Sequence, residues 1–140
     1  MRKIIIASHH RLAQGLKDTL NYVVPNAADI IAIAAYVTNT PIDEEIQASL
    51  HDVTDQDEVI VFTDILGGSV NQAFAKFVNH PHFHVITGTN LPVIMSIMLE
   101  IDDGYTSADV IKDAVNNAKE ELIYVNDFIV AQSNSDEEDE

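Results

Sequence analysis

A histidine and an aspartate stand where apolar runs give way to helical ones. Ile4-Ile5-Ile6-Ala7 ends in Ser8-His9-His10, after which Arg11 to Leu20 carries apolar residues at helical spacing. Val59-Ile60-Val61-Phe62-Thr63 runs in the same way into Asp64-Ile65-Leu66-Gly67-Gly68-Ser69, with a helix-like stretch from Asn71 to Phe77 behind it. Residues so placed fall at the carboxyl ends of two parallel strands, where the reacting groups of open α/β sheets gather. Neutral imidazole is a good nucleophile at about pH 7, and the role of each ring nitrogen is set by what the other one bonds. An aspartate that accepts a hydrogen bond from Nδ1–H leaves Nε2 free to attack phosphorus and stabilises the cationic ring that results. Gly67 and Gly68 let backbone amides approach a phosphoryl group, and the helix N-terminus behind them adds favourable partial charge. Ser69 either donates one more hydrogen bond to that group or caps its helix, and the sequence leaves both open.

Singly, these residues say little. A lone histidine at a strand end is more often structural or solvent-facing, and a lone aspartate is a common turn residue. The combination of His9, Asp64 and the Gly67-Gly68-Ser69 turn is what favours chemistry. His10 follows His9 directly, and adjacent side chains cannot share a direction at a strand end. Strand register favours His9 as the reacting residue and leaves His10 to shape the entrance. His80, His82 and His84 alternate as metal ligands on a strand do, but no carboxylate pattern completes a site, so neither a metal nor another cofactor is expected. His51 carries no signal, and Gly88 serves a turn.

The chain has 140 residues, 46% of them hydrophobic, which suits one well-packed domain. It has no cysteine, which removes a disulfide framework, a thiolate nucleophile and a zinc–cysteine site. No apolar run approaches the roughly 20 residues needed to span a bilayer, and the stretch after Met1-Arg2-Lys3 is too short for a signal peptide. A cytoplasmic protein is therefore expected. The formal charge of −16 repels a phosphate backbone and argues against a nucleic-acid partner. Much acidity sits in the run from Ser133 to Glu140, which cannot bury enough apolar area to offset chain ordering. A domain over residues 1–131 and a disordered acidic tail over 132–140 follow.

Between these ends strands and helices alternate. Beyond those at Ile4 and Val59, strands are expected at Ile30 to Val37 and Val85 to Gly88. A turn at Pro25 to Asp29 precedes the former. Helices are expected from Pro41, capped by Thr40, from about Gly68 to Asn79, from Leu91 to Ile101 and from Ser107 to Lys119. The segment Glu121 to Val130 reads as a further strand at a sheet edge. This alternation implies a mainly parallel sheet covered by helices on both faces, and a doubly wound α/β domain of four strands in the order 2-1-3-4 is expected.

The strand-Ser8-His9 start, the run Phe62 to Ser69 and Gly88-Thr89-Asn90-Leu91-Pro92 together resemble the IIA component (EIIA) of the mannose-type family of the bacterial phosphoenolpyruvate-dependent sugar phosphotransferase system (mannose, fructose, sorbose, gluconate). The likeness spans about residues 1 to 131. It implies a phosphotransferase that works through a phosphohistidine: His9 accepts a phosphoryl group from phospho-HPr and passes it to a IIB component for sugar uptake. Asp64 and Ser69 then stand at the family's aspartate and serine. The family often has a small residue after its active histidine, and His10 departs from that. The resemblance also implies a homodimer in which an antiparallel C-terminal strand, here Leu122 to Val130, is exchanged. The chain ends in an acidic tail rather than an Ala/Pro-rich linker, so the IIB acceptor is expected on a separate chain, with membrane contact only through the permease. The acidic surface suits a basic face on HPr. Two other readings stay open: the IIA-like subunit serving dihydroxyacetone kinase, against which the Asp64-x-x-Gly-Gly-Ser turn counts, and a non-catalytic regulatory module of the same fold. A flavodoxin or receiver domain fits less well, because the first strand ends in neither a hydroxyl-rich phosphate loop nor an acidic pair.

Overall fold

Isoleucine, valine and phenylalanine dominate the segments that become strands, since such side chains pack well on a pleated surface. In the computed structural model, which describes residues 1–25 and 29–138, these are β1 (Arg2–His9), β2 (Ile30–Ala35), β3 (Glu58–Thr63) and β4 (Phe83–Ile86). All pair in parallel, in the order β2-β1-β3-β4. The order is the one expected. β1 is buried from Ile4 to Ser8 and β3 along its whole length, as central strands covered on both faces must be.

Alternation along β1 and β3 sends successive side chains to opposite faces. Ile4, Ile6, Ile60 and Phe62 pack with α1 (Leu12–Val23), α4 (Leu91–Glu100) and α5 (Ala108–Glu120). Ile5, Ala7, Val59 and Val61 pack with Ile46 of α2 (Ile42–Leu50) and with Val70 and Phe74 of α3 (Ser69–Ala75). The sheet is thus doubly wound, and its two cores lock β1 and β3 side by side.

Boundaries differ where side chains redirect the backbone. α3 stops at Ala75 rather than near Asn79: the chain goes on in tighter turns, Phe77 N–H donating to the Phe74 carbonyl at 3.0 Å and Val78 N–H to that of Ala75 at 3.3 Å, and Phe77 stacks on Phe83 at 5.6 Å. Pro41 itself takes the position before α2, and no side chain caps that helix, so Thr40 does not. Ser107 does cap α5, and Asn90 caps α4 through Val93 N–H at 3.0 Å. The turn expected at Pro25 to Asp29 lies partly outside the described residues.

The antiparallel C-terminal strand expected over Leu122 to Val130 is replaced by a helix, α6 (Val125–Glu138). A strand needs a ladder partner, and among the described residues no strand pairs with this segment. Leu122, Ile123, Tyr124, Val125, Phe128, Ile129 and Val130 are all exposed. Backbone groups without a neighbouring strand find partners within a helix instead, and Asp127 sits in its first turn. The same helix carries the acidic tail as far as Glu138; Asp139 and Glu140 lie outside the described residues.

At the sheet end away from His9, Glu58 is only 2% exposed. Its carboxylate accepts from Arg2 Nε and Thr106 N–H, both at 2.5 Å, and from Thr106 Oγ1 at 3.1 Å. The same guanidinium donates to the carbonyls of Asp102 at 2.9 Å and Gly104 at 2.6 Å, which ties the α4–α5 connection to the sheet. Removing one partner of a buried ion pair leaves the other uncompensated. Glu58→Ala is therefore expected to lower stability by about 3 kcal/mol in urea unfolding, and a loss below about 1 kcal/mol would show the latch to be idle.

Candidate functional site

The parallel register that pairs Ala7 with Thr63 makes β1 and β3 leave the sheet side by side. His9 and Asp64 are the residues that emerge there. Both the backbone N–H and ring Nδ1 of His9 meet Asp64 Oδ2, at 2.8 and 2.9 Å. A carboxylate can only accept, so Nδ1 carries the ring proton of the neutral imidazole and Nε2 keeps its lone pair. The aspartate side chain is 8% exposed and the histidine 36%, which leaves the ring reachable and its anchor covered. Burial pushes the Asp64 carboxyl up, but the His9 backbone N–H, its ring N–H and its charge outweigh that and hold it below the usual carboxylate range.

Each residue of the expected cradle has a separate job. Gly67 adopts φ +77°, a left-handed conformation that glycine takes without strain. Gly68 supplies room: a Cβ there would lie 3.2 Å from His9 Cε1 and 3.3 Å from the Ile65 carbonyl. Its own N–H donates to that carbonyl at 3.1 Å and so belongs to the turn rather than to a ligand. The Ser69 hydroxyl does not cap α3 and lies 3.2 Å from His9 Nε2.

His10 is exposed, at φ +54°, and its N–H donates to the Ala35 carbonyl at 2.8 Å. Its ring takes no part in the His9–Asp64–Ser69 set. Buried Ser8 serves the fold, since its Oγ accepts the Ala13 N–H at 2.7 Å and satisfies a first-turn donor of α1 that the residue before the helix leaves open. The Gly88-Thr89-Asn90 loop is tied to the β3 end by Thr89 N–H and the Thr63 carbonyl at 3.0 Å.

Tyr36 joins this set, although in the sequence it reads only as part of the end of a strand. It follows β2 at φ +66°, its ring centroid 5.6 Å from that of His9 and its hydroxyl 2.7 Å from Ser69 Oγ. A signal for it exists, because a hydroxyl-bearing residue beyond a central strand's neighbour obeys the same strand-end rule that singles out His9. The other histidines disperse: His80 lies near Asp55, His84 near Glu58, and His82 stacks on Tyr105. Among the described residues no metal-binding group of His, Asp and Glu converges. A cavity of about 440 Å³ lies at the opposite sheet end beside Arg2 and Glu58, whereas His9 has the exposed Tyr36 beside it, and Leu12, Ile65 and Leu66, its near neighbours or those of Asp64 along the chain, are exposed as well.

The profile of the EIIA-man family, described as PTS system fructose IIA component, matches residues 3–115. The PTS system fructose-specific EIIA component of Bacillus subtilis (strain 168) is 24% identical over 122 residues, 85% of this chain and 80% of that protein. A solved structure from Klebsiella pneumoniae subsp. pneumoniae MGH 78578, assigned as a phosphoenolpyruvate-dependent sugar phosphotransferase system permease, is 36% identical with a TM-score of 0.84, covering 91% of this chain and 93% of that one. The PTS IIA protein associated with the fucose utilization operon of Streptococcus pneumoniae is 25% identical with a TM-score of 0.73, covering 91% and 96%.

The lowered carboxyl at Asp64 makes stability depend on pH. Its contribution is fully present above the usual carboxylate range and is lost as pH falls through the lowered folded value. Asp64→Asn is expected to cost about 2 kcal/mol at neutral pH, with the difference from wild type shrinking in acid; urea unfolding across that span measures it, and a pH-independent difference would contradict the assignment.

Proposed function

The chain belongs to the EIIA-man family of phosphotransferase system components, and on that premise we propose that it carries a phosphoryl group on His9 Nε2 from phospho-HPr to a IIB component. The observation that supports this most is the pair of hydrogen bonds from one residue, His9, to Asp64 Oδ2. They hold the imidazole in the tautomer whose outward nitrogen is the nucleophile.

In the forward step the Nε2 lone pair forms the N–P bond while the bond from phosphorus to the donor breaks, its electron pair leaving with the donor. The ring keeps its Nδ1 proton and becomes cationic, and the Asp64 carboxylate offsets that charge without taking the proton. Ser69 Oγ lies where it can donate to a phosphoryl oxygen, and the absence of a side chain at Gly68 keeps the ring in place. Transfer to the IIB component reverses these movements. The exposed apolar side chains of Leu12, Ile65 and Leu66 give a protein partner something to dock on, and the acidic charge of the chain speeds encounter with a basic one. Among the described residues no helix is long and apolar enough to cross a membrane. On this reading the protein works in the cytoplasm and meets the membrane only through the permease.

A homodimer belongs to the same reading. Leu122, Ile123, Phe128 and Ile129 are all exposed on one segment, an apolar surface that a second copy would cover. Light scattering at micromolar concentration is expected to give a dimer, and a monomer would remove this element.

Incubation with phosphoenolpyruvate, enzyme I and HPr tests the carrier role. His9→Ala is expected to abolish acid-labile phosphorylation while His10→Ala retains it, and Asp64→Asn is expected to slow transfer about 100-fold. Phosphate located on His10 by mass spectrometry under alkaline conditions would overturn the assignment, and no phosphorylation of wild type would favour a non-catalytic module.

A further inference from the structure

Polarity along the chain of contacts that starts at Asp64 is determined at every link. The carboxylate accepts, so His9 Nδ1 donates and Nε2 of the neutral ring can only accept. Ser69 Oγ, 3.2 Å from Nε2, must therefore donate its single proton there. With that proton committed, Ser69 can meet the Tyr36 hydroxyl at 2.7 Å only as acceptor, so Tyr36 donates. The tyrosine is held for this contact in the left-handed region at φ +66°, a conformation that an aromatic residue rarely adopts and that tends to cluster at functional sites.

We propose that Tyr36 is a positioning residue for phosphoryl transfer, acting through Ser69 to aim the serine proton first at His9 Nε2 and then at the incoming phosphoryl group. The inference rests on the carrier reading of His9. Before transfer the aimed hydroxyl lies against the nucleophilic lone pair and fixes the ring plane from the side opposite Asp64. As Nε2 forms the N–P bond and the donor bond breaks with its electron pair, the Ser69 proton loses its acceptor and turns to a phosphoryl oxygen. No proton is transferred. Tyr36 still occupies a lone pair of Ser69 Oγ, so the hydroxyl has fewer directions to turn. A tyrosine 58% exposed can make this contact without burying its ring, which leaves its outer face to a partner.

Tyr36→Phe keeps the ring and removes only the donor. Phosphorylation by phospho-HPr is expected to slow about fivefold at saturating donor with little change in KM, the factor that one neutral hydrogen bond is worth. Ser69→Ala is expected to slow it at least as much, and the double variant to be no slower than Ser69→Ala, because the tyrosine acts only through the serine. Nitrogen-15 NMR of the unphosphorylated protein supplies a reading that needs no donor: the His9 Nε2 resonance is expected to move in Tyr36→Phe, and to move likewise in Ser69→Ala. Wild-type rate with an unmoved Nε2 resonance would overturn the proposal. So would slowing with an unmoved resonance, which would make Tyr36 a docking contact, or independent effects that multiply in the double variant. If wild type accepts no phosphate, the carrier reading fails and the role of Tyr36 in transfer fails with it, while a moved resonance would still establish the hydrogen-bonded chain.

Discussion

Asp64 Oδ2 takes two hydrogen bonds from a single residue, the backbone N–H and the ring Nδ1 of His9, at 2.8 and 2.9 Å. The backbone bond sets where the histidine begins to leave the sheet, and the ring bond sets which nitrogen faces outward. Everything else at the site accommodates that geometry. Gly68 stays bare because the ring edge is 3.2 Å from where a Cβ would sit, and Gly67 turns the chain at positive φ so that Ser69 arrives beside Nε2. Ser8, one residue before, holds α1 to the strand end through Ala13, so the helix starts without displacing the histidine. The buried carboxyl that anchors this set is kept ionised by the residue it orients.

Such a site needs two strand ends that do not move relative to each other. β1 and β3 pair in register from Arg2 with Glu58 to Ala7 with Thr63, and their side chains feed both cores. A shift of one residue would send Ile4 and Ile6 to the other face and separate His9 from Asp64 together. Fold stability and site geometry are thus the same constraint. The Arg2–Glu58 latch secures the far end of the same two strands.

The C-terminal segment is under no such constraint. β4 is a sheet edge, and the apolar residues from Leu122 to Val130 are exposed. An unpaired edge and an uncovered apolar segment are complementary liabilities, and helix formation in α6 satisfies the backbone of the second without covering its side chains.

Continuous apolar runs, helical spacing and polar residues at strand ends are local properties, so the alternation of strands and helices, the sheet covered on both faces and the strand-end positions of His9 and Asp64 are legible in the sequence. The motif also marks Gly67, Gly68 and Ser69, although not which glycine offers conformation and which space, nor where the serine hydroxyl points. Those distinctions depend on where the His9 ring lies, which only packing decides. Tyr36 is marked in the sequence only as a residue at a strand end; its hydroxyl reaches Ser69 across a gap of 33 residues, a contact that no local pattern encodes. The strand expected at Leu122 to Val130 became a helix for the converse reason. Its composition suits a strand, but a strand exists only where the tertiary structure presents an edge to pair with, and in a single copy none is presented there.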